Sequence, residues 1–245
     1  MRVFVYTICK DEVDMIPWFL RHYETFAERI IVYDEQSKDG TREILMRHPK
    51  VEIREWTGRG LDDEMFTHFV NTVPAEAAGH ADWVMWSDVD ELLYNPNISH
   101  VLKNANEDMI LARGYALISG EKGMYVNHQL YHCVRTGYQQ PNYDKYICWR
   151  PQIKVAHTIG RHTYQPDWPR CEGMKGMIPK LKLFHCHHVW GVEHTKRINA
   201  RNMDRAVNKK FAWNYSSAHN KPEQVGTEAW VRHLIDNNLL YDVVE

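Results

Sequence analysis

The stretch Asp82-Trp83-Val84-Met85-Trp86-Ser87-Asp88-Val89-Asp90-Glu91 decides how the rest of the chain is read. Its first half is apolar and aromatic, as in a strand buried on both faces of a sheet. Its second half sets two carboxylates one residue apart, directly past the strand's end. Upstream, Arg2–Cys9 (RVFVYTIC), Arg29–Tyr33 (RIIVY) and Val51–Glu55 read as three further strands. Between them Val13–Phe26, Thr41–Arg47 and Asp62–Ala78 carry helical patterns, with Asp11 offered as N-cap of the first and Asp39 as cap of the second. Strands and helices alternating at this spacing predict βαβ units, hence a doubly wound α/β half over residues 1–95. In such sheets ligands collect at the carboxyl ends of the strands. That places Lys10-Asp11-Glu12, Asp34–Asp39 and Asp88–Glu91 on one rim.

Downstream the pattern is less regular. Met109–Leu117, Tyr143–Trp149, Gln152–Ala156 and Lys180–Cys186 read as strand-like pieces, Gly160–Pro179 as a long loop, and Val192–Phe211 and Val225–Asn238 as helices. The 245 residues are 44% apolar and 12% aromatic, which excludes disorder as the dominant state. A net charge of −2 excludes a generic polyanion binder, so any affinity for phosphates must be local. Five cysteines (Cys9, Cys133, Cys148, Cys171, Cys186), an odd number with no CxxC pair, argue against a disulfide framework. With neither a membrane-length apolar run nor a signal peptide in the pattern, a cytoplasmic location is expected.

The pair Asp88 and Asp90 is the sharpest chemical feature. Carboxylates that close repel unless a cation neutralises them, and hard divalent cations such as Mn²⁺ or Mg²⁺ take such oxygen ligands together with substrate phosphates. A solvated acidic turn is the bland alternative. Asp34 is placed to meet a nucleobase or ribose hydroxyl, with an Asx-turn as its structural alternative. In Phe184-His185-Cys186-His187-His188, strand alternation sends His185 and His187 to one face. One of these histidines could complete a divalent-cation site, or His185 could join Cys171 in a zinc site, or all could simply pack. Arg197, Arg201, Arg205 and Lys209 recur every fourth residue, with Lys196 and Lys210 beside them. Such a basic stripe suggests an anionic partner, unless it is a solvated face paired with Glu193 or Asp204. GxSxG, GxGxxG and GxxxxGK[ST] are all missing, which disfavours serine-hydrolase, dinucleotide and P-loop chemistry.

Three segments together resemble a known family. Ile8-Cys9-Lys10-Asp11-Glu12, Tyr33-Asp34-Glu35-Gln36-Ser37-Lys38-Asp39-Gly40-Thr41 and Asp82–Glu91 are similar, in order and spacing, to the motifs cKNE, yDngStDGT and W….D.DEfl of family-2-like glycosyltransferases with the GT-A fold. Trp149-Arg150-Pro151 and Phe184-His185 look like that family's later strand motifs. Asp11 departs from the usual Asn, and Glu35-Gln36 from the common Asn-Gly.

The resemblance implies a Rossmann-like, mostly parallel sheet flanked by helices. It divides the chain into a GT-A domain over 1–190 (nucleotide-binding half 1–95, acceptor half 96–190) and a C-terminal helical extension over 191–245. It also implies a nucleotide-sugar donor, a UDP-sugar first, and a Mn²⁺ or Mg²⁺ bridging its diphosphate. Thr7, Lys10, Glu12, Asp34 and Asp88 would serve the donor, and Asp88, Asp90 and His185 the cation. An inverting transfer to an acceptor hydroxyl needs a general base, for which Glu91, Asp167 and Glu172 are candidates and Glu172 is preferred. The acceptor would be a glycan or glycan precursor, a protein, or a hydroxymethylated base in DNA. The basic stripe and nine tryptophans keep DNA in view. A non-catalytic nucleotide-sugar or carbohydrate-binding module, and zinc chemistry at the Cys/His cluster, are the alternatives.

Overall fold

The computed structural model describes residues 1–58, 60–119, 128–158, 175–207 and 225–244. Along the chain run β1 (Val3–Cys9), α1 (Ile16–Tyr23), β2 (Arg29–Asp34), α2 (Thr41–Met46), β3 (Val51–Glu55), α3 (Asp63–Thr72), β4 (Trp83–Trp86), β5 (Glu91–Tyr94), α4 (Ile98–Asn104) and β6 (Met109–Leu117). There follow α5 (Leu130–Cys133), β7 (Thr136–Gln139), β8 (Lys145–Trp149), β9 (Lys175–His185), α6 (Gly191–Arg205), a final helix α7 (Glu228–Asp236) and β10 (Tyr241–Asp242). They form two compact units. One comprises Met1–Gly58, Asp63–Arg113 and Asp144–Leu183; the other comprises Arg59–Asp62, Gly114–Tyr143 and Phe184–Glu245.

In the first unit β3, β2, β1 and β4 lie side by side and parallel, with Tyr6 paired to Ile31 on one flank and to Trp86 on the other. Beyond β4 the sheet turns antiparallel. β8 pairs with β4 through Val84↔Trp149 and Met85↔Cys148, and the first half of β6 pairs with β8. The α/β class expected from the sequence is thus observed, parallel in its N-terminal half and mixed past β4. One sheet face carries a ladder of rings: Trp86 stacks on Tyr6 at 5.9 Å and on Tyr33 at 6.3 Å, with Phe66 of α3 edge-on at 5.7 Å. α1 buries Ile16, Phe19, Leu20 and Tyr23. In the second unit β7 lies between the end of β6 and β10, and α7 packs Trp230, Val231 and Leu234 against Ala116 and Ile118. Thr227 caps α7 by accepting from the Trp230 amide at 3.2 Å.

Several element bounds differ from the sequence expectation for physical reasons. α1 begins at Ile16 rather than Val13, because Asp11 does not cap it. The expected helix Asp62–Ala78 ends as α3 and continues as a 3₁₀ turn, Val73–Ala77, where Pro74 has no amide to donate. Gln152–Ala156 is not a strand: the Ile153 amide closes a turn onto the Arg150 carbonyl, while Val155 and Ala156 are buried without a ladder. β9 starts at Lys175, inside the expected loop Gly160–Pro179, of which 160–174 lie outside the described residues. α6 ends at Arg205, and the last part of the expected helix Val192–Phe211, with Lys209 and Lys210, lies outside them too.

The seven described tryptophans (Trp18, Trp56, Trp83, Trp86, Trp149, Trp190, Trp230) are all buried. They build cores instead of offering rings to a nucleic acid; Trp168 and Trp213 lie outside the described residues. No described helix is long and apolar enough to cross a membrane.

Trp86 has no exposed surface and stacks on Tyr6 and Tyr33, so Trp86→Ala is expected to lower stability by about 3–5 kcal/mol. Met46, 71% exposed on α2, should tolerate Ala within about 0.5 kcal/mol. Urea midpoints of the two variants check the contrast, and equal losses would remove the ring ladder from its central place.

Candidate functional site

Because β1 and β2 are parallel and adjacent, their C-terminal loops leave the sheet together, and they are clasped to each other. The Lys10 ammonium donates to the carbonyls of Glu35 (2.6 Å) and Gln36 (2.9 Å). The Asp11 amide donates to Ser37 Oγ at 2.9 Å, and the Lys38 amide donates back to Asp11 Oδ1 at 2.7 Å. The Glu12 amide donates to Thr41 Oγ1 at 2.8 Å, and the Val13 amide to Asp39 Oδ2 at 2.9 Å. Asp11 (φ 51°) and Gln36 (φ 53°) are left-handed, the conformation that Asn and Gly adopt most readily. These lie within the two places where the chain departs from the Asn-bearing motifs it resembles. Asp11 therefore joins loops, and α1 starts from the Glu12 carbonyl, which accepts from the Met15 and Ile16 amides.

Asp34, expected at the ligand, has no exposed surface. It accepts from Arg42 Nη1 at 2.8 Å, from the Ser37 amide at 3.2 Å and from the Cys9 thiol at 3.7 Å. Burial first, and the Asp34 charge next, push the Cys9 thiol up, which keeps it a donor. Thr7, expected at the donor, is likewise wholly enclosed within β1. Asp34 thus ties the β2 loop from within, and the Thr7 hydroxyl donates to the Ile8 carbonyl at 3.4 Å. Lys10 and Glu12 remain partly exposed there. Asp39 lies one residue before the true N-cap, Gly40 at φ 102°, yet accepts from the Thr41 amide (3.0 Å) and hydroxyl (2.6 Å). Burial opposes its charge, but the Thr41 and Val13 donors together outweigh this and hold its carboxyl below the ordinary value.

Past β4 the chain makes a tight acidic turn. The Glu91 amide donates to the Asp88 carbonyl at 2.9 Å, and the Asp88 amide to Glu91 Oε2 at 3.2 Å. The Tyr23 hydroxyl fastens the turn to α1, 2.7 Å from Ser87 Oγ and 3.0 Å from the Glu91 carbonyl, while accepting from the Leu93 amide at 3.1 Å. Asp88 and Asp90 stay partly exposed at the tip, Asp88 with 36% of its side chain. Glu91 is 1% exposed, with Oε1 against the Lys145 ammonium and Oε2 on the Asp88 amide. Both Glu91 oxygens therefore face protein donors, whereas a general base must reach the acceptor hydroxyl.

Lys145 stands outside every motif of the sequence. It opens β8 (KYICW), is itself buried, and sets Nζ 3.2 Å from Asp88 Oδ2 as well as against Glu91. The signal available was a lone cation at the head of an apolar strand.

Two carboxylates flanking Val89 suit a hard divalent cation, which commonly takes one or two carboxylates and fills its remaining sites with phosphate or water oxygens. Among the described residues no three His, Cys, Asp or Glu side chains converge as a ready cage, so ligand oxygens would have to complete the sphere. His185 belongs to the second unit, where its ring is buried and stacks on Tyr143 at 4.2 Å. The expected alternation ends there, because β9 stops at His185 and a turn follows. His187 Nε2 meets Asn199 Oδ1 at 3.0 Å, while His188 lies between the Tyr143 hydroxyl (3.1 Å) and Thr195 Oγ1 (2.9 Å). Burial, with His187 and His185 nearby, holds the His188 imidazole well below its usual range. Cys171, Asp167 and Glu172 lie outside the described residues. On α6, Arg197 is exposed and meets His194 Nδ1 at 3.0 Å, while Arg201 and Arg205 are partly buried.

A scan against protein-family profiles finds no match, and a search of curated proteins by sequence finds none either. Solved structures with a similar backbone include mannosyl-3-phosphoglycerate synthase from Rubrobacter xylanophilus, at 12% identity and TM-score 0.38 over 62% of this chain and 53% of that one. This chain thus spans about half the length of that synthase. HddC from Yersinia pseudotuberculosis aligns at 10% identity and TM-score 0.39, over 74% of this chain and 92% of that one. Mannosyltransferase PcManGT from Pyrobaculum calidifontis, solved with GDP-Man and Mn²⁺, aligns at 14% identity and TM-score 0.44, over 96% and 69%.

Asp39 yields a pH test of the clasp. With its folded value below the ordinary 3.8, its contribution is complete above that value and is lost as pH falls through the folded value. Asp39→Asn should be less stable than the parent near neutrality, the gap closing below about pH 4. Urea midpoints across the acid range read this directly; a gap independent of pH would mean the charge is not involved.

Proposed function

We propose that the chain is a metal-dependent glycosyltransferase of GT-A architecture that moves a sugar from a nucleotide-sugar donor to an acceptor hydroxyl with inversion. One observation carries this function. The loops after β1, β2 and β4, three adjacent parallel strands, leave the same rim, and the last of them presents Asp88 and Asp90 at its tip. The three-motif resemblance supports the same reading.

Lys10 and Glu12, partly exposed beside the clasp, would flank the nucleoside, with Asp34 and Thr7 ordering the loops behind them. Asp88 and Asp90 would hold Mn²⁺ or Mg²⁺ against the donor diphosphate. When bound, that cation offsets the charge developing on the departing nucleoside diphosphate. The protein's own share is to fix the two carboxylates at the rim, which the Tyr23, Ser87 and Glu91 contacts do. Glu172 or Asp167 is left as the base for the acceptor hydroxyl. A glycan or glycan precursor is the favoured acceptor, since the seven described tryptophans are buried and offer no ring platform to DNA. A second reading, a binding module without transfer, is favoured by the ammonium already resting on Asp88. Product formation separates the two.

Thermal denaturation against UDP-, GDP-, CMP- and TDP-sugars, with and without Mn²⁺, should show a metal-dependent rise with one nucleotide, a UDP-sugar first. At a ligand concentration of 100 Kd the native state gains about 2.7 kcal/mol. Asp90→Ala should abolish that shift and reduce transfer by at least about 10²-fold, with circular dichroism confirming that the variant folds. Undiminished transfer in this variant, or in excess chelator, would overturn the metal-dependent mechanism.

A further inference from the structure

We propose that Lys145 is a resident counter-cation that sets how tightly the acidic turn takes a divalent cation. This deepens the cation site proposed above and rests on it. The placement follows from strand register. β8 runs antiparallel to β4 with Val84↔Trp149 and Met85↔Cys148, and the same pairing continued three residues on brings Lys145 opposite Asp88. On its other side Lys145 pairs with Ala112 of β6, so its backbone is held between neighbours. With 6% of its surface exposed, its ammonium points into the turn, 3.2 Å from Asp88 Oδ2 and in contact with Glu91 Oε1.

These contacts have unequal roles. Glu91 is enclosed, and a buried carboxylate stripped of its partner is strongly destabilising, so its pairing with Lys145 is structural. Asp88 is partly exposed, and its carboxylate is shared between the ammonium within and the rim without. A divalent cation bound by Asp88 and Asp90 therefore sits near a fixed positive charge and is repelled by it. The nucleotide-free protein should take Mn²⁺ weakly. The negative diphosphate of a donor should restore affinity, which couples cation and donor binding reciprocally.

The test is a titration with Mn²⁺ alone, then with Mn²⁺ plus each nucleoside diphosphate, following the electron paramagnetic resonance signal of free Mn²⁺. Wild type, K145R, K145Q, E91Q and K145Q/E91Q are compared, with circular dichroism to confirm folding. K145Q should bind Mn²⁺ about tenfold or more tightly than wild type without nucleotide, and K145R as wild type does. E91Q leaves the whole ammonium charge on Asp88 and should bind more weakly. If K145Q fails to fold, K145Q/E91Q removes both members of the buried pair and should bind about tenfold or more tightly than E91Q. A folded K145Q with wild-type Mn²⁺ affinity, or a double variant matching E91Q, would overturn the role of Lys145 while leaving the cation site standing. No Mn²⁺ binding in any variant, with every nucleotide, would overturn the cation site and this inference with it.

Discussion

A carboxylate closed off from water must have its charge answered inside the protein, and this constraint shapes the rim of the first unit. Asp34 ends β2 and Glu91 follows the turn after β4, the two strands that flank β1, and neither has meaningful exposure. Arg42 answers the first and Lys145 the second. Each pair anchors a loop: Asp34 also takes the Ser37 amide, and Glu91 also takes the Asp88 amide. The exposed carboxylates at the tip, Asp88 and Asp90, keep their places because the enclosed ones behind them are already satisfied. Removing one partner of the enclosed Lys145–Glu91 pair costs about 3–5 kcal/mol, far more than a surface ion pair contributes.

Much of the fold was legible in the sequence, because runs such as RVFVYTIC and RIIVY leave little choice but a buried strand, and the alternation with helices fixes a parallel start. The three rim loops were legible for the same reason. Residues whose roles depend on pairing across the sheet were not. Lys145 looks like an ordinary polar edge to an apolar strand until its ammonium is found against Asp88 and Glu91. That Asp34 is enclosed and paired with Arg42, eight residues on, was equally out of reach of the pattern. β5 was missed because four residues directly after an acidic turn give periodicity too short to read. The histidine run was misjudged because alternation holds only while the strand lasts, and β9 ends at its first histidine.

The tryptophans carry a similar lesson. Their number is compatible with a binding platform or with a large core; each described one is enclosed, and Trp86 stacks on Tyr6 and on Tyr33 on the sheet face. Trp83 donates its indole N–H to the Leu102 carbonyl at 2.9 Å and lies under the Arg150 guanidinium at 3.7 Å. Large rings with one polar edge fill a thick α/β core economically when a carbonyl lies within reach of that edge. Composition counted the rings, and only packing could say which way they faced.

The clasp between the β1 and β2 loops has a consequence for how this region opens. The amides of Asp11, Glu12, Val13 and Lys38 are each held by a side chain of the opposite loop, across 26 to 29 residues of sequence. None of these amides is locked by a helix or ladder of its own, so one loop cannot loosen without releasing the other. Their exposure to solvent deuterium should therefore be a shared event, all four exchanging as one cooperative unit set by the separation of two loops.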